Sequence, residues 1–162
     1  MQLSAFGFDV TLPPGWEGRI DRRDTALRTG PAAMAQFHPE ERTYPIARFA
    51  NFALPVDVED YGSGAVELMG PDNLYVTLLE FGPESLGQPL FSAEGMPRRL
   101  RPGQFSPNQL QRTISGQGGF QTFFTEARRP MCLFIALGSY ANRVALVEQA
   151  NLLLDALTIG PR

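Results

Sequence analysis

Apolar positions recur at period two along most of this chain, and at a helical period clearly only near its end. Leu3 to Leu12 reads as a strand stopped by Pro13-Pro14-Gly15, because proline fixes φ and glycine accepts positive φ. Trp16 to Arg23 predicts a second strand, paired with the first as a hairpin and leaving Arg19, Arg22 and Arg23 near solvent. Ala32 to Phe37 is a weak strand candidate and Ile46 to Leu54, bracketed by Pro45 and Pro55, a stronger one. Within the latter, Ile46, Ala50, Phe52 and Leu54 share a face with Arg48, while Ala47, Phe49 and Ala53 share the other with Asn51. Asp57 to Met69 suggests a short helix with its acids near the start, stopped by Gly70-Pro71.

Leu74 to Phe81 is apolar at both parities and predicts a central strand. Residues 82–107 hold five prolines and four glycines without a sustained period, so they read as a long irregular connection within the domain. Its simplest role is to wrap one sheet edge, anchored by Leu90, Phe91 and Leu100. Leu110 to Ile114 and Phe120 to Glu126 look like strands joined through the glycine-rich Ser115 to Gly119, and Ala127 to Pro130 leads on to the fully apolar strand Met131 to Leu137. A helix capped near Ser139 or Asn142 then places Leu146, Val147, Ala150, Leu153, Leu154 and Leu157 on one stripe.

A sheet with one wet face alternates apolar and polar residues, and the strands at 74–81, 120–124 and 131–137 do not. Each face therefore needs a cover. The expected fold class is α+β: a mostly antiparallel meander sheet covered on both faces by helices and loops, with the C-terminal helix packed on it. A strand closing on Leu12-Pro13-Pro14-Gly15-Trp16, an antiparallel meander and a final docked helix together resemble the PsbP-like fold. That resemblance implies a PsbP-like sandwich and a role in binding or assembly rather than catalysis. The chain is also similar to small uncharacterised actinobacterial proteins, a likeness that carries no function.

Length and composition narrow this further. A chain of 162 residues is the size of one domain and can bury a core without disulfides or a structural metal. All fourteen cations are arginine, most simply a codon bias of a GC-rich genome; a bacterial source is what the likeness to actinobacterial proteins implies. A net charge of −3 provides no cationic footprint for nucleic acid. The sole thiol, Cys132, lies in an apolar run and reads as a small buried hydrophobe. No apolar run reaches the ~18 residues of a membrane helix and the first residues lack the basic and apolar regions of a secretory signal, so a cytoplasmic, soluble protein without membrane insertion is expected.

Motifs that would carry chemistry fall short. Gly116-Gln117-Gly118-Gly119 begins like a dinucleotide fingerprint but lacks the third glycine, and a chain without lysine has no P-loop. Gly62-Ser63-Gly64 lacks the glycine spacing of a nucleophile elbow. His38, the only histidine, reads as an exposed loop residue, and with one thiol no zinc site is expected. Asp57, Glu59 and Asp60 suit helix-terminus electrostatics better than a cation site. No cofactor, metal or catalytic set is therefore expected.

The residues left for recognition are Trp16, Arg98, Arg99, Arg101, Arg128 and Arg129, since guanidinium groups grip carboxylates and phosphates in pairs of hydrogen bonds. They point to a non-enzymatic protein-binding or assembly factor. The alternative is a small-molecule-binding or hydrolytic protein with a cleft between the sheet and the long connection, lined by Trp16, aromatic rings and carboxylates. Homo-oligomer formation through an edge strand is compatible with either.

Overall fold

The computed structural model describes residues 1–23 and 44–162, so the strand expected at Ala32 to Phe37 and His38 lie outside the described residues. Among the described residues the fold is α+β with two antiparallel sheets instead of one. Strands β1 (Gln2–Ala5) and β2 (Phe8–Thr11) form a small sheet with β8 (Leu157–Ile159), in the order β1-β2-β8. The larger sheet has the order β3-β4-β5-β7-β6, from Glu17–Arg22, Pro45–Ala50, Leu74–Glu80, Arg129–Leu137 and Gly118–Glu126. One α-helix, α1 (Arg143–Asp155), follows β7.

Several sequence expectations change. The single strand at Leu3 to Leu12 folds back on itself at Phe6 and Gly7, whose φ values of 51° and 82° make a tight turn that twists with the strands it joins. With β2 and β8 taking those positions, β3 pairs antiparallel with β4 and not with the first strand. The two sheets instead meet face to face at Gly18, where a Cβ would stand 2.9 Å from Leu3 and 2.8 Å from Phe49. The predicted strand at 110–114 is irregular chain. The second hairpin does form, more tightly than expected: Ala127 and Arg128 alone make the turn, and Arg129 and Pro130 already belong to β7. Since β5 pairs with β7, strand β6 lies outermost, and the C-terminal half departs from a plain meander.

The helix expected at 57–69 shrinks to one 3-10 turn, Val66–Leu68. Gly62 and Gly64 take φ of 87° and 97°, which ends helical propagation before Ala65, and the five residues left cannot sustain an α-helix alone. The C-terminal helix also ends earlier than the stripe suggested. Leu146, Val147, Ala150, Leu153 and Leu154 do face the core, but Leu157 belongs to β8, paired with Val10. Arg98 holds this helix end, donating from Nη1 to the Leu154 carbonyl at 2.6 Å and also to that of Leu157.

The expectation of a sheet apolar on both faces holds. One face, with Ala47, Phe49, Val76, Leu78, Leu133 and Ile135, shares the main core with α1 and the small sheet. The other carries Ile46, Ala50, Tyr75, Leu79, Cys132, Phe134 and Ala136. Its cover among the described residues comes from loops and the 3-10 turn, not from an α-helix.

The long connection does wrap an edge. Thr125 on β6 donates to the Ala93 carbonyl and accepts from Gly95, each at 2.8 Å, while Gly119 exchanges hydrogen bonds with Ser106. Gln109 Oε1 accepts a third edge N–H, that of Gln121, at 3.2 Å. Phe91 and Leu100 are buried as anchors, whereas Leu90 is 57% exposed. An edge occupied at both ends offers little room for a further strand.

Candidate functional site

The six residues that the sequence offered for recognition do not form one surface. Trp16 packs into the main core at 9% exposure. Arg98 caps α1 and lies 3.8 Å from Glu126. Arg129, expected at a hairpin tip, is 3% exposed: it donates to Glu80 Oε2 at 2.7 Å and to the Gly160 carbonyl at 2.8 Å, and its guanidinium lies 4.6 Å from the Phe8 ring centroid. Arg99, Arg101 and Arg128 remain exposed.

Polar groups gather instead on the second face of the large sheet. Alternation along antiparallel strands sends Arg19 and Asp21 of β3, Arg48 of β4 and Tyr75 and Thr77 of β5 to that side. Asp21 accepts from Arg48 at 2.9 Å and lies 3.0 Å from Arg19 Nε. Asp60 completes the chain of charges, 3.8 Å from Arg48 and 3.9 Å from Arg23. Arg23, expected near solvent, has a side chain only 9% exposed and also donates to the Glu80 carbonyl at 2.7 Å. Buried polar groups of this kind persist where they are paired.

Beside this network, the segment Glu59 to Glu67 and residues 110–114 enclose a cavity of about 280 Å³. Phe134, 1% exposed, closes its inner end, and Tyr61 meets that ring edge-on with centroids 5.8 Å apart. Val66, Leu110 and Ile114 continue the apolar wall. Glu67 and Arg112 stand 3.1 Å apart at the outer side, where the Arg112 side chain is 71% exposed. The turn at Gly62 and Gly64 fixes Glu67: its carboxylate accepts from Gly64 N at 2.7 Å and from Ser63 Oγ at 3.2 Å. Partial burial alone would raise the pKa of Glu67, but its own and the Gly64 N–H, Ser63 and Arg112 together hold it below the usual carboxylate value.

Two buried polar atoms behind the walls lack hydrogen-bond partners among the described residues. Gln117 donates to the Val66 carbonyl at 2.8 Å, leaving its Oε1 unmatched. The Tyr75 hydroxyl is also unmatched, since Arg48 and Thr77 are near it without meeting it in hydrogen-bond geometry. Burial pushes Tyr75 up to about 12 and Cys132 up to about 11, so both stay protonated near neutral pH. The thiol is therefore no ready nucleophile.

Asp57, Glu59 and Asp60 do not converge on a cation. Asp60 turns towards Arg48 and Arg23, and among the described residues no three His, Cys, Asp or Glu side chains come together in a metal-holding arrangement. Among those residues no helix is long and apolar enough to cross a membrane. Sequence reasoning missed the cavity because its walls come from residues 59–67, 110–114 and 134, which are far apart in sequence and meet only in the fold. The one local signal was the Gly-Ser-Gly turn, which the structure uses to aim Glu67. No family model, curated protein or solved structure matches this chain.

Proposed function

We propose that this chain binds a small, partly apolar molecule in the cavity between residues 59–67, residues 110–114 and Phe134. The observation that carries this reading is the cavity of about 280 Å³, with an aromatic inner end and fixed charges at its outer side. That combination of apolar lining and a few placed polar groups is characteristic of ligand pockets, and the volume suits a ligand of amino-acid size. The groups around it support binding more than proton transfer: Glu67 is held ionised, and Tyr75 and Cys132 are held neutral. The cleft lies over the second face of the sheet, not against the long connection, and Trp16 is not part of it.

Ligand-observed NMR with a fragment library tests this. Fragments that bind the wild type should be lost on Ile114→Trp or Leu110→Trp, either of which fills the cavity from a partly exposed wall position. Binding that survives both fillings, in variants with unchanged circular dichroism, would refute the reading.

A second reading, a protein-binding or assembly factor of the PsbP-like kind, draws on the exposure of Arg99 and Arg101 on the long connection. A crosslinked partner captured by the wild type and lost with Arg99→Ala/Arg101→Ala would favour it. Light scattering would reveal whether that partner is a second copy of the chain.

A further inference from the structure

We infer that the ligand of this cavity is a zwitterion with an apolar tail, of the class of free apolar α-amino acids. The inference rests on the ligand-binding reading above. Its basis is the pairing of opposite charges at the outer side of a cavity whose inner end is apolar. Glu67 and Arg112 face each other at 3.1 Å, and both line the cavity. An α-amino acid presents an ammonium and a carboxylate side by side, so its head group can meet both partners at once. Its side chain then points towards Val66, Leu110, Ile114 and Phe134.

The two protein groups suit such an exchange. Exposed ion pairs contribute little to stability, so opening this one costs the fold little. Glu67 keeps the Gly64 N–H and the Ser63 hydroxyl after Arg112 turns away, and stays an aimed, ionised acceptor for an ammonium group. Arg112 makes one hydrogen bond to a side chain, through Nη2, and a guanidinium has further donors in a fork that matches a carboxylate. A simple amine would engage Glu67 and displace Arg112 without a new anion for it. A simple acid would do the converse. A ligand with both charges leaves neither Glu67 nor Arg112 worse paired than before. A cavity of about 280 Å³ has room for one amino acid.

Isothermal titration calorimetry with L-phenylalanine, L-leucine, phenethylamine and 3-phenylpropionate tests the inference. The two amino acids should bind, and each single-charge analogue should bind at least about tenfold more weakly, the loss expected from one charge-assisted contact. Arg112→Ala should remove the advantage of L-phenylalanine over phenethylamine. Glu67→Gln should remove its advantage over 3-phenylpropionate. Arg99→Ala, an exposed position on the long connection that does not line the cavity, should leave all four affinities unchanged. Equal affinity for either single-charge analogue, or no heat from either amino acid, would overturn the inference. The fragment experiment keeps the two ideas apart: if fragments bind and are lost on Ile114→Trp while amino acids give no heat, the cavity reading stands and the zwitterion fails. If neither fragments nor amino acids bind, both fail.

Discussion

The buried pair Glu80–Arg129 should act as the clasp between the two sheets, and removing both charges should cost no more than removing either alone. Glu80 ends β5 at 0% exposure, and its Oε2 accepts from Arg129 at 2.7 Å. The same guanidinium reaches the small sheet, donating to Gly160 just after β8 and stacking over Phe8 of β2 at 4.6 Å. Gly7 makes this approach possible, since a Cβ there would lie 2.5 Å from Arg129 Nη1. Arg162 Nε lies 3.1 Å from the other Glu80 oxygen but without hydrogen-bond geometry, and its side chain is 46% exposed, so it is the weaker partner.

Breaking a buried pair by removing one partner costs about 3–5 kcal/mol, because the other charge stays buried and unmatched. Arg129→Leu also forfeits ~1 kcal/mol of cation–π attraction, while Arg162 remains to offset part of the loss. We expect about 3–4 kcal/mol for Arg129→Leu and about 3 kcal/mol for Glu80→Leu, both from the same buried-pair range. The double variant buries no charge; it forfeits the same ~1 kcal/mol of cation–π attraction and leaves the Gly160 carbonyl without its donor at ~1–2 kcal/mol, about 2–3 kcal/mol together. The coupling between the two sites should thus exceed about 2 kcal/mol. Equilibrium urea unfolding measures all three, provided the slope with denaturant stays constant. Single variants costing under ~1 kcal/mol, or a double variant costing the sum of the two, would refute the reasoning.

Three further outcomes are expected. Gly138→Ala should lower stability by about 1–3 kcal/mol in the same assay, because its Cβ would fall 1.9 Å from the Gly70 carbonyl oxygen, a backbone atom with no rotamer to escape into. Cys132 should resist a disulfide reagent at pH 8 in the native protein and react fully in denaturant, since the thiol is buried and pushed up to about 11. Tyr75 takes its proton off at 10.0 in an unfolded chain and at about 12 in the fold, so its contribution to stability is complete below pH 10.0 and lost as pH rises towards 12. A phenolate absorbance titration of wild type minus Tyr75→Phe should show that step near pH 12.

What was legible in the sequence is what period and composition control locally. The apolar runs at 74–80 and 131–137 are fully buried strands at the positions expected, and five of the six stripe residues of the last helix face the core from within it. What was illegible depends on choices between alternatives of similar local energy. A phenylalanine at φ 51° is not a turn signal, so the Phe6–Gly7 reversal was hidden, and with it the whole small sheet. Hiding that sheet also misassigned the partner of β3, because a hairpin was the nearest pairing on offer. Arginines proved hardest: Arg99 and Arg129 each follow another arginine, yet one is exposed and the other is 3% exposed, a difference set by Glu80 and Gly160, which lie far away in sequence.

The two faces of the large sheet explain where a site can form. The face towards α1 and the small sheet is closed by regular elements whose side chains interdigitate, with Leu146, Val147, Leu153 and Ile159 seated on Val76, Leu133 and their neighbours in one core. Packing of that kind leaves no room for a ligand without a cavity cost. The other face is covered by loops, which follow the sheet less closely and carry polar side chains inward, as Glu67 and Asp60 show. Gly62 and Gly64 shape this cover: their positive φ ends helical propagation before Ala65, Gly62 packs closely on the Tyr75 ring, and the turn leaves an aimed carboxylate beside the cavity over Phe134. Replacing that turn with helix-forming residues should therefore abolish the proposed ligand binding before it abolishes folding, because the main core lies wholly on the opposite face.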